Sequence, residues 1–341
     1  MKRIFIIVLI LQLNCSDRKH TDTSTSLTVE DASDEMQFIP GGVFTMGSNA
    51  SGYPIEGPAH RVQVNDFYID KTEVTNREFR EFVEHTGYVT TAEHAPTWEE
   101  LKEQLPPGTP PPDSPLAAGS VVYVQPDTSV HSMSDYSQWW KWVEGANWRS
   151  PEGPGSNLEN RWDHPVVHIA LKDAQAYCSW KGKRLPTEAE WEYASRGGKD
   201  GLPFSWGTEV QPEGKFMANT FQGAFPVRDL VLDGFNGTAP VKSFPPNAYG
   251  VYDMIGNVWE WTSDYYDATY YASLPNTLVE NPTGSTKSFD PQEPHAKKYV
   301  IKGGSYLCAD NYCSNYRPSA RQAAAFDSGT SNLGFRCVRN P

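Results

Sequence analysis

The chain lacks what it would need to hold nucleic acid or to run the commonest hydrolytic chemistries. Basic residues are the minority, 29 Lys and Arg against 42 Asp and Glu for a formal net charge of -13, and phosphate binding needs the opposite balance. The acid excess fits a soluble protein able to take up divalent cations. The one leading apolar run, Ile4 to Leu13, is too short to span a bilayer, and no later stretch reads as a transmembrane helix. There is no G-x-S-x-G, no H-E-x-x-H and no Walker A loop, which sets aside the familiar serine hydrolase, zinc protease and nucleotide signatures. Cysteine is sparse, 5 in 341 residues, and no internal repeat is present.

Rings and turns are plentiful instead. The chain carries 11 Trp, 17 Tyr and 15 Phe beside 27 Gly and 27 Pro, with hydrophobic residues at 38%. Gly and Pro interrupt regular elements, so the expected core is one of large rings packed between turns. Lys2, Arg3, the apolar run and Cys15 read together as an export signal of lipoprotein type over residues 1–15, with Cys15 the lipidated first residue of the mature chain. Residues 16–35, rich in Ser, Thr and Asp, read as a flexible tether. This places the protein in the periplasm or anchored at the outer membrane of a bacterium, meeting a membrane only through that lipid.

A folded domain is expected over 36–341. It opens on a strand–turn–strand pattern, Phe38 to Gly47, and closes on the strand-like Phe335-Arg336-Cys337-Val338-Arg339. Thr75 with Glu78, and Thr187 with Glu190, make capping boxes ahead of apolar runs that stop at Gly87 and at Gly197-Gly198. A third helix is expected over 172–181 with Gly182 as its stop, and Tyr299-Val300-Ile301 reads as a strand. The Pro-rich stretch from Leu101 to Asp127 reads as an exposed loop. The fold class is α+β, one irregular domain behind a tether.

Setting Cys15 aside leaves Cys178, Cys308, Cys313 and Cys337, which admit three pairings that spacing does not choose among. Cys308 and Cys313, five positions apart after Gly303-Gly304, suit a local disulfide. They also offer the paired sulfurs that a soft ion such as Cu(I) prefers, the thiolate being the ligating form. Asp253 and Gly256-Asn257-Val258-Trp259-Glu260-Trp261 can supply oxygens to Ca²⁺, or form a strand with buried tryptophans and a solvated Glu260. Asn219-Thr220 and Asp233-Gly234-Phe235 read, by themselves, as turn formers. His164 and His168 flank Pro165-Val166-Val167, an extended stretch, and read as structural rather than ligating.

Several segments together resemble the formylglycine-generating enzyme family, also called sulfatase-modifying factors, from about Met36 to Val338. They are Gly41 to Ser48, Gly145-Ala146-Asn147-Trp148-Arg149, Lys183 to Tyr193, Gly303 to Cys308 and Ser331 to Cys337. The Arg184-Leu185-Pro186-Thr187-Glu188 run marks the wider superfamily, whereas the cysteine pair marks its catalytic branch. The resemblance implies a single domain low in regular secondary structure, akin to C-type lectins. It implies an oxidase that uses dioxygen to convert a cysteine in a Cys-x-Pro-x-Arg segment of an unfolded sulfatase polypeptide to formylglycine, with an external thiol or other reductant supplying electrons.

By the same resemblance Cys308 and Cys313 hold copper, with Ser305, Trp259, Tyr312 and Asn332 around them. Asn219, Thr220, Asp233 and Phe235 match one calcium site, and Asp253, Gly256, Val258 and Glu260 a second. Thr220, Phe235, Gly256 and Val258 would act through backbone carbonyls. Cys178 and Cys337 match a structural disulfide, while Ser195 and Pro318 stand where some relatives carry another. Ala309 stands where some relatives carry Arg. Trp139, Trp140 and Trp148 are expected to wall the substrate groove. A non-catalytic scaffold or surface lipoprotein of the same fold is the alternative; such relatives lack the cysteine pair. An iron-dependent sulfoxide synthase would need H-x3-H-x-E, but Ile169 and Ala170 follow His168.

Overall fold

The computed structural model describes residues 35–341. The export signal, Cys15 and the tether up to residue 34 lie outside the described residues. Helices form where their local signals lie. The first, α1 (Asn76–Thr86), starts at Thr75, whose hydroxyl accepts the Glu78 N–H at 3.3 Å while the Glu78 carboxylate accepts the Thr75 N–H at 2.7 Å. That reciprocal pair satisfies two of the donors a helix start leaves open. After the single-turn α2 (Trp98–Leu101) come α3 (Leu171–Trp180) and α4 (Glu188–Arg196), the latter capped by Thr187 and ended by Gly197 at φ +57°. A last short helix, α5, spans Tyr270–Ser273. Among the described residues no helix is long and apolar enough to cross a membrane.

Strands are short and spread over several small sheets. The pair β1 (Met36–Ile39) and β4 (Phe67–Asp70) is antiparallel, and β14 (Val338–Arg339) adds to the far edge of β4. A second sheet joins β2 (Gly42–Met46), β3 (His60–Val64) and β10 (Val279–Glu280). The strand–turn–strand pattern at the start of the domain therefore divides between two sheets. In the third sheet, β9 (Trp259–Tyr265) lies between β11 (Lys298–Lys302) and β13 (Leu333–Gly334), with β12 (Arg321–Ala325) outside β11. Two further ribbons pair β5 (Gly119–Tyr123) with β6 (Trp140–Glu144) and β7 (Gly223–Ala224) with β8 (Arg228–Asp229). The stretch read as one Pro-rich loop thus ends in a strand, β5, and the last strand shrinks to β14.

The core is aromatic, as the composition implies. Phe79 of α1 packs edge-on to Trp148 at 5.3 Å and flat on Tyr177 of α3 at 5.9 Å, with Phe335 closing the cluster. Truncating a ring at that depth costs about 3–5 kcal/mol. A disulfide joins Cys178 of α3 to Cys337 beside β14, as the resemblance implies. Glu260, read as solvated if its segment is a strand, is instead 1% exposed. The polypeptide does run as a strand there, but a buried Arg336 replaces water as the partner of that carboxylate.

Candidate active site

The cysteine turn begins at Gly303 and Gly304, at φ +97° and +74°, in the left-handed region that favours glycine. A Cβ on Gly303 would fall 3.1 Å from the Trp191 ring, and one on Gly304 3.0 Å from the Asn315 backbone. The chain then tightens, with Cys308 N–H donating to Ser305 O at 2.9 Å and Cys313 N–H to Ala309 O at 2.9 Å. The result is a contact of 3.2 Å between Cys308 Sγ and Cys313 Sγ, both cysteines free. Cys308 is buried, whereas Cys313 is part-exposed, so the pair is open from the Cys313 side.

The two thiols are inequivalent. Burial, then the neighbouring sulfur, pushes Cys308 well above the ordinary thiol range. The hydrogen bond from Cys308 pulls Cys313 down, helped by the Asn315 amide, whose Nδ2 lies 3.1 Å from Cys313 Sγ. The pair therefore titrates as a unit, with one proton shared across the 3.2 Å contact.

Ser305 is fully buried, and its Oγ accepts Asn332 Nδ2 at 2.8 Å; Asn332 Oδ1 in turn accepts the Thr330 hydroxyl at 2.7 Å. Trp259 starts β9, is held through its N–H to Asn332 O at 2.9 Å, and packs in the same cluster as Cys308. Tyr312 stacks on Phe225 at 4.5 Å and meets Trp139 edge-on at 6.1 Å; burial raises its hydroxyl above the ordinary tyrosine range. The four residues expected around the cysteines therefore lie on this turn or on segments bonded or packed against it. Trp139 and Trp148 do not wall a groove: both are 0% exposed, the first beneath Phe225 and the second in the α1 core. Asn315, Thr330 and Phe225 were not singled out from the sequence. An Asn two positions after a Cys, or a Thr two before an Asn, carries no pattern that separates it from an ordinary turn.

The first acidic cluster also assembles. Asp233 accepts the N–H groups of Thr220 at 3.1 Å and of Phe235 at 3.0 Å. Gln222 Nε2 sits between Asp233 Oδ2 and the Thr220 carbonyl, donating to both. Asn219 Oδ1 nearby is buried with no partner. Oxygens gathered about a donor, with one buried oxygen unsatisfied, fit a hard cation.

At the second cluster, Asp253 sits at φ +54° with its Oδ2 accepting the Lys242 N–H at 2.7 Å. Glu260 is taken up by Arg336 at 2.7 and 2.8 Å and by Trp191 Nε1 at 2.8 Å. Glu73, not foreseen, is fully buried beside them, its Oε2 without a hydrogen bond and 4.0 Å from Arg336 Nη2. Burial, then the charge of Asp253, raises Glu73 well above the carboxylate range; burial lifts Asp253 to about 6. Glu260, Glu73 and Asp253 surround the single guanidinium of Arg336, so ionising all three would call for a further positive charge among them. Among the described residues no three His, Cys, Asp or Glu side chains close on a single point. A cation here would therefore need main-chain carbonyls as well, the part expected of Gly256 and Val258.

His168, by contrast, is structural. It is buried, bonded to Ser120 Oγ at 2.9 Å and Pro151 O at 2.8 Å, and burial lowers it to about 4.

Comparison with known proteins gives one consistent result. The family described as "Sulfatase-modifying factor enzyme 1-like domain" matches residues 22–341. The chain is 47% identical over 302 residues to the formylglycine-generating enzyme of Mus musculus, covering 88% of this chain and 73% of that one. It is 38% identical over 308 residues to the inactive C-alpha-formylglycine-generating enzyme 2 of the same species, covering 89% and 85%. Among solved structures, PvdO from Pseudomonas aeruginosa superposes with a TM-score of 0.54 at 27% identity, covering 90% of this chain and 94% of that one.

Proposed function

Since the chain belongs to the family of sulfatase-modifying factor enzyme 1-like domains, we propose that it is a catalytically competent formylglycine-generating enzyme that activates sulfatases. The observation that carries this reading over the inactive alternative is the pair of free sulfurs 3.2 Å apart, with Cys313 reachable from outside. An inert scaffold has no need of two reduced cysteines in contact.

The substrate is an extended, unfolded segment of the form Cys-x-Pro-x-Arg, whose thiol enters from the Cys313 side. Its Cβ loses two electrons as sulfur is replaced by oxygen: the thiol carbon becomes an aldehyde, and hydrogen sulfide and water leave. Dioxygen takes up four electrons, so an external thiol supplies the other two. Cu(I) held by Cys308 and Cys313 would supply the activation of dioxygen that a closed-shell thiol cannot. The donor set fits a soft ion. The 3.2 Å spacing in this structure is that of a hydrogen-bonded thiol pair.

The chain's own groups do the rest. Cys313 is the more accessible sulfur of the pair. Ser305, oriented by Asn332, presents a hydroxyl in a dry setting where a hydrogen bond to substrate or oxygen is strengthened. Trp259 belongs to the apolar cluster that holds Cys308, and Tyr312 is braced against Phe225 with its hydroxyl protonated. Asn219, Thr220, Asp233 and Phe235, and Asp253, Gly256, Val258 and Glu260, would hold Ca²⁺, which would brace segments bonded to the cysteine turn through Phe221 N–H to Cys308 O at 3.1 Å and Gly256 N–H to Gly303 O at 3.0 Å. Export, with lipid on Cys15, would set the enzyme where newly secreted sulfatases are still unfolded.

Co-expression tests the proposal: a cysteine-type sulfatase made with the chain should carry the aldehyde and gain hydrolytic activity. A sulfatase that keeps its cysteine beside the folded, soluble chain would contradict it.

A further inference from the structure

Asn257 ties three parts of the site together. Its side-chain oxygen accepts Asn219 Nδ2 at 3.1 Å and the Ala239 N–H at 2.9 Å, while its side-chain nitrogen donates to Glu73 Oε1 at 3.1 Å. Its backbone N–H donates to Asn219 O at 2.9 Å, and its backbone carbonyl accepts the Tyr306 N–H at 2.8 Å. Asn257 thus grips Asn219 of the first cation cluster twice. It lies between Gly256 and Val258 of the second and pins the residue next to Ser305. It is 1% exposed at φ +56°, a conformation that Asn adopts more readily than most residues.

A polar node of this kind could merely hold loops together. Two observations set it apart. Both side-chain arms end on groups whose other oxygen is buried without a hydrogen bond: Asn219 Oδ1 on one side and, on the other, Glu73 Oε2, which meets only Arg336 Nη2 at 4.0 Å. Each amide or carboxylate is a rigid plane, so fixing one end fixes the direction of the other. A cation that orients Asn219 through Oδ1 aims its Nδ2 at Asn257, which in turn holds Glu73 with the direction of its Oε2 set.

We propose that Asn257 couples the two cation clusters to each other and to the turn carrying Ser305 and Cys308, so that occupancy of one raises affinity at the other. The proposal rests on the reading of both clusters as calcium sites. Ordering carried out by the first cation is ordering the second need not repeat. The effect is reciprocal, and couplings of this kind amount to about 5–150-fold in affinity.

The test is calorimetric titration of the metal-stripped full chain with Ca²⁺, in four forms: unaltered, Asp233→Ala, Asn257→Gly and the double variant. Glycine keeps the positive φ at no steric cost and deletes both side-chain arms. In the unaltered background, Asp233→Ala should abolish one site and weaken the other about fivefold or more. In the Asn257→Gly background it should abolish one site and leave the other within about twofold. Ca²⁺ should also slow alkylation of Cys313 in the unaltered chain and not in Asn257→Gly.

A remaining site of unchanged affinity in Asp233→Ala overturns the coupling while leaving two calcium sites in place. Failure of the unaltered chain to bind Ca²⁺ overturns both the coupling and the reading it rests on. Should Asn257→Gly fail to fold, the first comparison alone decides, with Glu73→Met, which has no oxygen to accept Asn257 Nδ2, as the substitute for cutting one arm.

Discussion

Asn332 reaches back across 27 residues to donate its side-chain amide to Ser305 Oγ at 2.8 Å, inside a shell where Ser305 is fully buried. The bond fixes the serine rotamer, and Thr330 fixes Asn332 from behind. Asn332→Ala leaves the hydroxyl free to turn. The expected loss is about 100-fold in kcat, the scale of a reacting group misplaced by about an ångström, with a stability change of only about 1 kcal/mol. Steady-state kinetics beside a denaturant melt separates the two effects.

Glu56 and Arg317 form a buried fork, with nitrogen–oxygen distances of 2.6 and 2.7 Å and Ser319 Oγ on the same carboxylate at 2.8 Å. It ties residues 48–57 to the segment just past Cys313. Arg317→Met strands a buried carboxylate and should cost about 3–5 kcal/mol. The double variant Glu56→Leu, Arg317→Met should recover most of that loss. A denaturant double-mutant cycle reads the recovery directly.

Asp264 gives the protein a stability that depends on pH. Its Oδ1 is buried and unpartnered, while Oδ2 accepts the Glu188 N–H; burial, then the charge of Glu188, raises it to about 8. The folded state therefore keeps a proton that the unfolded state has lost. This group's contribution is fully present below about pH 4 and falls as pH rises to about 8, by at most about 1.4 kcal/mol per unit. Asp264→Asn should flatten that slope in melts recorded across roughly pH 5 to 8. His168 acts in the other direction. Held near 4, it contributes stability above about pH 6.5 that is lost as pH falls toward about 4.

The Cys178–Cys337 bridge closes a separation of 159 residues between α3 and the end of the domain. Replacing both with Ala should lower stability by about 2–5 kcal/mol. The free pair at Cys308 and Cys313 should stay reactive, as thiol counting under native conditions would show.

What the sequence made legible were the features with a local cause. The capping boxes at Thr75 and Thr187 and the stops at Gly87 and Gly197 are written in four or five adjacent residues, and their helices form there. The disulfide and the cysteine turn were reached through resemblance, because spacing left Cys308 and Cys313 open between a bridge and a pair of thiols. What stayed hidden depends on partners far along the chain. Glu260 looks solvated until Arg336, 76 residues on, arrives beside it. Trp139 and Trp148 look like groove walls until Phe225 and Phe79 cover them. Glu73 carries no signal at all, since its partners, Asn257 and Arg336, lie 184 and more residues along the chain.

The central claim is that the paired thiols of Cys308 and Cys313 carry out cysteine oxidation. The most direct measurement is the mass of a Cys-x-Pro-x-Arg peptide after aerobic incubation with the reduced protein, with and without added Cu(I). The prediction is a copper-dependent product that has lost one sulfur and two hydrogens and gained one oxygen, reacts as an aldehyde, and vanishes with Cys308→Ala and with Cys313→Ala. An unchanged peptide in the presence of folded, copper-loaded protein, or a product that survives loss of either cysteine, would contradict it.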